Sequence, residues 1–379
     1  MKFSLASAAA ALLLSAPAAF AQDVNATEYA TGLLAALNQN NLTALSGLAA
    51  RINQRLLPVL VANLNRNLTV LAPTNAAINA LGNGLDEDTI FNTVAYHVLN
   101  GTFTQNQSDQ TVIALTALSN SSLVQLPAGR PQVVVLEKQQ NGTVYVKEPL
   151  NNVTFVQAAA AGVQYRNLLV RPINTVLTIP GNLTALAGRA GLSQLATALT
   201  QTELLEPLEE AKTGLTIFAP TNAAFQAIAQ AASQLNTTQL SAVLAQHVLN
   251  GTVAYSTLLP NEAVNAAGQK LTFSKNDTGA YVQLANTTAK ITQTNILFRG
   301  GVVHTIDAVL VDTATNPTAA NDAFTSASTA GPTPTAGGNN GSGGGNNNNN
   351  NTGAAAPGAK IGAGLLALTL VASGVFVLL

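Results

Sequence analysis

Three short blocks occur twice in this chain, in the same order, and that duplication constrains the fold more than any other feature. Thr69-Val70-Leu71-Ala72-Pro73-Thr74-Asn75-Ala76-Ala77 recurs as Thr216-Ile217-Phe218-Ala219-Pro220-Thr221-Asn222-Ala223-Ala224. His97-Val98-Leu99-Asn100-Gly101-Thr102 recurs as His247-Val248-Leu249-Asn250-Gly251-Thr252. Tyr165-Arg166 through Ile173-Asn174-Thr175-Val176-Leu177 is matched by Phe298-Arg299 through Ile306-Asp307-Ala308-Val309-Leu310. The separation is too long for a solenoid of short repeats, so each copy is expected to fold around its own core. A length of 379 residues suits two such units.

Each block has a local physical reading. The first is a β-branched strand ending at Ala-Pro. Thr74 or Asn75, and Thr221 or Asn222, then cap a helix. Ile78 and Leu81, like Phe225 and Ile228, stand three apart and are expected to face the core. In the second block, Asn-Gly after His-Val-Leu reads as a helix stop. Asp86-Glu87-Asp88 upstream places acid where a helix dipole favours it. The back half of each copy alternates between apolar and polar residues. Lys270 to Phe273, a turn at Asn276-Asp277-Thr278-Gly279, and Tyr281 to Leu284 read as a hairpin. Lys290 to Ile296 and Val302 to Leu310 add strands, and Gln132 to Leu136 with Thr143 to Val146 form the first copy's hairpin. Leu/Ala-rich runs at Ala30 to Leu48 and Leu183 to Leu208 make the front halves helical. The fold class is therefore α+β, helices on a largely β core.

Composition narrows the function. Hydrophobic residues make up 47% of the chain, enough for real cores, but charged residues only 9%, against a usual share of about 25%. The surface must be built from Asn, Gln, Thr and Ser, and attached sugars are the obvious means of keeping it soluble. The net charge is −1, so no basic stripe exists to bind nucleic acid. Cysteine is absent, which removes disulfides, thiolate nucleophiles and thiolate metal ligands together.

Both ends carry targeting patterns. Met1-Lys2-Phe3, the apolar run Leu5 to Ala18 and the small-x-small triplet Ala19-Phe20-Ala21 read as a secretory signal over residues 1–21. Ile361 to Leu379 is apolar and uncharged, long enough to span a bilayer. The chain stops at Leu378-Leu379 with nothing basic beyond. Small residues near Asn351, a short spacer and that tail match a glycosylphosphatidylinositol signal. On that reading residues 354–379 are removed and lipid joins Asn351, with Asn350 or Gly353 next in preference; the competing reading is a retained transmembrane helix. Residues 314–353, rich in Thr, Ser, Gly and Asn, are expected to form a disordered stalk. A flexible segment of roughly 40 residues spans about 35 Å. Thr325, Ser326, Ser328, Thr329, Thr333 and Thr335 offer hydroxyls for O-linked sugars.

Asn-x-Ser/Thr triplets begin at Asn25, Asn41, Asn67, Asn100, Asn106, Asn120, Asn141, Asn152, Asn182, Asn236, Asn250, Asn276 and Asn286, with further triplets at Asn340 and Asn350. In an exported chain this density predicts N-glycosylation and marks surface turns.

The repeated blocks resemble those of the fasciclin-domain family, in particular a fungal-type, lipid-anchored protein with two tandem domains. Thr-Val-Leu-Ala-Pro-Thr-Asn and Thr-Ile-Phe-Ala-Pro-Thr-Asn are similar to the family's first signature. Tyr96-His97-Val98-Leu99 is similar to its Tyr-His motif, and Gly301-Val302-Val303-His304-Thr305-Ile306-Asp307 to its second signature. The resemblance implies domains at 22–178 and 179–313, each a β-wedge or sandwich with helices packed around it. It also implies a role in adhesion or in cell-surface and wall organisation. Tyr96, His97 and His247 become candidate partner-contact residues. Two departures stand out. Gln246 replaces the Tyr of the motif in the second copy, and Leu169-Val170-Arg171-Pro172-Ile173-Asn174 replaces the second signature in the first.

Chemistry-bearing alternatives are thin. The three histidines, His97, His247 and His304, show no ligand spacing within a helix or hairpin, and the blander reading is a hydrogen-bonded structural role. No serine sits in a nucleophile elbow. Glu203, Glu206, Glu209 and Glu210 around Pro207 read as a solvated face. The expectation is a non-enzymatic surface glycoprotein without cofactor or metal. Its partners would be cell-surface or wall proteins and polysaccharides, and a lipid would hold it in the outer leaflet. The alternative is a module that binds an apolar ligand or a wall polysaccharide. If Asn100 and Asn250 carry sugars, the Tyr96-His97 region is partly screened from protein partners.

Overall fold

The computed structural model describes residues 26–82, 84–104, 109–148, 153–154, 162–189, 191–329, 368–370 and 376–378. The expected signal peptide, the attachment residue Asn351 and the sequons at Asn25, Asn106 and Asn152 lie outside them.

The first copy opens with three helices, α1 (Ala26–Gln39), α2 (Thr43–Arg51) and α3 (Asn53–Val61), followed by β1 (Leu68–Pro73), α4 (Asn75–Asn79), α5 (Glu87–His97) and β2 (Val98–Asn100). Strands β3 (Thr111–Leu115), β4 (Val133–Lys138), β5 (Val144–Lys147), β6 (Val153–Thr154), β7 (Val163–Tyr165) and β8 (Leu168–Ile173) complete it. They form two sheets, ordered β2-β1-β8-β7 and β3-β4-β5-β6. The second copy repeats the plan: α6 (Leu183–Arg189), α7 (Ser193–Gln201), α8 (Leu205–Glu210), β9 (Leu215–Pro220), α9 (Asn222–Ala227), α10 (Ala229–Ala232), α11 (Thr237–Ala245) and β10 (Val248–Asn250). Then come β11 (Glu262–Val264), β12 (Lys270–Asn276), β13 (Gly279–Leu284), β14 (Thr287–Phe298) and β15 (Gly301–Ile306). Here the twelve-residue β14 runs through register shifts between Ile291 and Ile296, so one sheet, β10-β9-β15-β14-β13-β12-β11, replaces two. A bulge lets one strand bend from one half of the wedge into the other.

Each copy brings its first and last signature strands side by side. β1 pairs in parallel with β8, and β9 with β15, so that Leu71 faces Arg171 and Phe218 faces His304 across equivalent positions. All six residues of β8, β9 and β15 are buried, as strands covered on both faces must be. Gly301 is fixed at the start of β15 because a side chain there would collide with the Leu215 carbonyl.

The first signature's Thr and Asn divide the capping work between two helices. Thr74 and Thr221 cap their own helices, accepting from the Ala77 and Ala224 amides at 3.3 and 3.2 Å. Asn75 and Asn222 instead reach the front helices. Their Oδ1 atoms accept from the Ala44 amide of α2 (2.9 Å) and the Gln194 amide of α7 (3.0 Å). The local residues at those helix starts, Leu42 and Leu192, supply no side-chain cap. Asp86 caps α5 as its acidic run suggests, accepting from the Thr89 amide at 2.8 Å.

The front half of the first copy is helical as expected, in two helices separated at Asn41, where φ is +58°. Three expectations need correction. Ile78 is buried but Leu81, past the end of α4, is 42% exposed. His97 ends α5, and Val98–Asn100 is already a strand pairing with β1, so the helix stops before Asn-Gly. The segment expected to be disordered from residue 314 includes a helix, α12 (Pro317–Thr329), with Asn316 Oδ1 accepting from the Ala319 amide at its start. Its Thr325, Ser326, Ser328 and Thr329 face solvent. Beyond it, Leu368–Leu370 and Phe376–Leu378 form a short antiparallel pair. Among the described residues no helix is long and apolar enough to cross a membrane.

Candidate functional site

The structure places Tyr96, His97 and His247 inside the domains, 4%, 3% and 2% exposed. A partner approaching the folded chain meets the surface above them, not these side chains. This corrects the expectation of direct contact, and its cause is geometric: α5 and α11 lay their last turns against the sheet.

Both motif histidines make the same hook. His97 Nδ1 donates to the Thr93 carbonyl one helical turn back (2.7 Å), and its Nε2 accepts from the Leu177 amide (2.9 Å). His247 Nδ1 donates to the Val243 carbonyl (2.8 Å) and its Nε2 accepts from the Leu310 amide (2.9 Å). Each therefore ties the end of a helix to the chain leaving that domain, and each can do so only as the neutral ring. Burial lowers both from 6.5 to about 4, against the opposing effect of the helix carbonyl. Tyr96 donates to the Val133 carbonyl (3.2 Å), and burial raises its hydroxyl pKa.

His304 fills a different slot with the opposite tautomer. Its ring stacks on Phe218 at 5.6 Å between centroids, Nε2 donates to the Ala254 carbonyl (2.9 Å), and Nδ1 accepts from the Asn295 amide (3.4 Å). Burial, then the charge of Lys147, lowers it to about 4. In the first copy Arg171 stands at this register and donates from Nη1 to the Phe103 carbonyl (3.4 Å). Phe103 and Ala254 correspond: their amides donate to Thr69 Oγ1 and Thr216 Oγ1, the same threonine of the first signature (3.0 and 2.8 Å). The first copy thus keeps the carbonyl contact with a guanidinium in place of an imidazole. Repeat alignment alone puts Arg171 opposite His304, but the shared acceptor is visible only in three dimensions.

The two copies are joined across a buried seam that sequence gave no means of locating. Ile113, Val133 and Val135 of the first pack with Tyr255, Leu297 and Val302 of the second. Hydrogen bonds cross beside them: the Gln125 amide donates to the Arg299 carbonyl (2.7 Å) and Gln132 Nε2 to the Phe298 carbonyl (3.2 Å). The Arg299 amide in turn donates to the Gly181 carbonyl in the connecting segment (2.8 Å). Gly214, with φ +82°, allows Pro127 to lie against it.

The described sequons fall mainly on turns and element ends. Asn41, Asn67, Asn100, Asn120, Asn141, Asn236, Asn276 and Asn286 are exposed, while Asn182 and Asn250 are half-buried. Asn182 Oδ1 accepts from the Ala185 amide (3.0 Å) and its Nδ2 donates to Glu209 (3.2 Å). Asn250 Oδ1 accepts from Thr213 Oγ1 (2.8 Å). Glu209 also accepts from the Thr184 amide (2.7 Å), so it caps α6 and is half-buried, unlike exposed Glu203, Glu206 and Glu210. Under α6 and α7 lies an apolar hollow of about 20 Å³, lined by Leu183, Ala187, Leu195 and Val303 among others. Small-molecule pockets are about 300 Å³ or more. Among the described residues no group of three or more His, Asp or Glu stands together as a metal site.

These features define a tandem α+β module: two copies of one wedge, each with a parallel pair of signature strands and a histidine hook. The family model described as Fasciclin domain matches residues 29–180 and again 190–312. The chain belongs to the fasciclin-domain family. A "Fasciclin-like arabinogalactan protein" of Arthroderma benhamiae is 27% identical over 283 residues, which cover 72% of this chain and 65% of that protein. The "Fasciclin-like arabinogalactan protein CTB11" of Cercospora beticola is 25% identical over 260 residues, 65% of this chain and 67% of its own length. Among solved structures, a FAS1 domain pair from the insect cell adhesion molecule Fasciclin I covers 73% of this chain and 98% of its own, at 14% identity and a TM-score of 0.35.

Proposed function

We propose that this chain is an exported, lipid-anchored glycoprotein that acts in adhesion or in organising the wall or matrix at the cell surface. The observation that carries the reading is the pairing of two fasciclin domains into one sealed body with sequons on its exposed turns. Its fungal relatives are named as fasciclin-like arabinogalactan proteins, which supports a place outside the cell. The mechanism is display. Two similar domains held at a fixed separation let weak contacts with wall polysaccharides or surface proteins act together, through effective concentration rather than through any single strong site. Contacts run over the outer surface and its sugars, because the motif residues are buried. The second domain's hollow is far too small for an apolar ligand, so it lends that alternative no support.

The test has two parts. A phospholipase specific for glycosylphosphatidylinositol should release the protein from intact cells, and cells lacking the gene should attach or aggregate less. Tail peptides from residues 361–379 in the mature protein would refute the anchor. Unchanged attachment, aggregation and wall integrity in the deletion strain would refute the adhesive role.

A further inference from the structure

The second domain holds the chain that leaves it in a way the first does not. Gln246 occupies the position that Tyr96 holds in the first copy and is fully buried. Its Nε2 donates to the carbonyls of Asp312 (3.2 Å) and Ala314 (2.9 Å). Its Oε1 accepts from Asn265 Nδ2 (2.8 Å), which also donates to the Gln246 carbonyl (3.1 Å). Asn265 is 1% exposed, and its Oδ1 accepts from the Ala267 and Gln269 amides. Two residues further along, the Asn316 amide donates to the Ala267 carbonyl (2.7 Å), and Gly268 leaves room for the Asn316 carbonyl where any side chain would collide. Only then does α12 begin, capped by Asn316. Phe324 and Ala327 lie against Gly251, and Ala319, Ala320, Ala323, Phe324 and Ala327 are all half-buried.

We propose that residues 311–329 form a releasable strap, clamped by Gln246 and Asn265, which shortens the tether while docked and lengthens it under pull. The physical argument is one of marginal stability. A 13-residue helix rich in Thr and Ser does not hold its shape alone in water. It persists because Phe324 and Ala327 rest on the domain at Gly251 and the helix lies beside β11. That contact covers no residue of the helix completely, so it is the first to yield when the C-terminal end is pulled. Melting takes the helix from roughly 20 Å to an extended length of roughly 45 Å, a gain of about 25 Å. The clamp then stops release at Ala314, because Gln246 is anchored in the core and the His247 hook holds Leu310 behind it. The strap rests on the reading that the chain is tethered at its C-terminal end, but its docking does not.

The experiment therefore uses the secreted mature chain, with residues 354–379 omitted. It is held by its two ends in an optical trap and followed in parallel by hydrogen exchange of residues 311–329. The wild type should show an early reversible lengthening of about 25 Å before any domain unfolds, and exchange in α12 slowed at least tenfold relative to a free peptide. Phe324→Ala, a surface change that leaves the core intact, should abolish both. Gln246→Met should extend fast exchange back to residues 311–316 and enlarge the early step. Free-peptide exchange of α12 in the wild type, or an early step unchanged by Phe324→Ala, overturns the strap. Unaltered protection of 311–316 in folded Gln246→Met overturns the clamp. Failure of phospholipase to shed the protein would sink the anchor and leave these readouts unaffected.

Discussion

A fall in pH from 8 to 5 crosses the ordinary range of a free imidazole, about 6.5, and cysteine is absent from the chain. The chain has three histidines, and all are buried in hydrogen bonds that need a neutral ring. Each is lowered from 6.5 to about 4 in the folded state. Between those values the unfolded chain binds more protons than the folded one, so stability is full above about pH 6.5 and falls as the pH drops towards 4. At pH 5 the loss is about 2 kcal/mol for each histidine, or about 6 kcal/mol for three, relative to pH 8. That is much of the 5–15 kcal/mol a typical domain has available, roughly. Near pH 5.2 the slope is close to three protons, about 4 kcal/mol per pH unit. Urea denaturation at half-unit intervals from pH 8 to 4.5 measures it. If the two domains unfold separately, the second, with His247 and His304, should show about twice the slope of the first. His247→Gln should remove close to one proton from the second domain's slope. A total slope below about one proton over pH 5 to 6, or imidazole NMR titrations with midpoints near 6.5 in the native state, would refute the argument that these rings are held neutral by burial.

Asn75→Ala and Asn222→Ala should each cost about 1–2 kcal/mol by removing the remote cap of α2 or α7, and amide exchange should rise at Ala44 or Gln194 first. Tyr255→Ala, which empties the centre of the seam, should cost about 3–5 kcal/mol, and calorimetry should resolve two transitions where the parent shows a more cooperative one. Thr216→Val keeps the shape but strands the Thr252 carbonyl and the Ala254 amide, and chemical denaturation should show a loss of about 2 kcal/mol or more. Ala187→Val, pointed into the hollow of about 20 Å³, should be neutral or stabilise by about 0.5 kcal/mol, measured as a small rise in Tm.

What could be read in advance followed from locality. Hairpins such as β12–β13 were legible because a turn with Asn276 and Gly279 sits between alternating runs, and the structure places β12 and β13 around it. The duplication located both copies, because three ordered blocks leave no other explanation. Features made by residues far apart were not legible. Asn75 looks like a cap for its own helix, and nothing local shows that it serves Ala44 instead, 31 residues away. Tyr255 looks like one aromatic in a loop until the Ile113, Val133 and Val135 surface arrives from the other copy. Helix α12 was hidden by composition. Its Ala, Thr and Ser content matches a flexible stalk, and only the Asn316-Pro317 start signalled otherwise.

The positions where the copies differ explain why each copy does a different job. Position for position, Tyr96 becomes Gln246 and Arg171 becomes His304. The first domain is followed at once by its neighbour, and its exit is held by the His97 hook to Leu177 and by Glu148, which accepts from the Thr178 amide (2.7 Å), before the seam takes over. There Tyr96 spends its hydroxyl on the Val133 carbonyl, on the strand that carries the seam. The second domain is followed instead by α12, and a tyrosine has one donor where two carbonyls, Asp312 and Ala314, need partners. A carboxamide supplies both N–H groups and an acceptor for Asn265 besides. The substitution that most weakens the resemblance to the family motif is thus the one the second copy needs. Restoring the motif with Gln246→Tyr should free the tether instead of improving the fold, with faster exchange at residues 311–316. Protection equal to that of the parent would show that the clamp does not depend on the carboxamide.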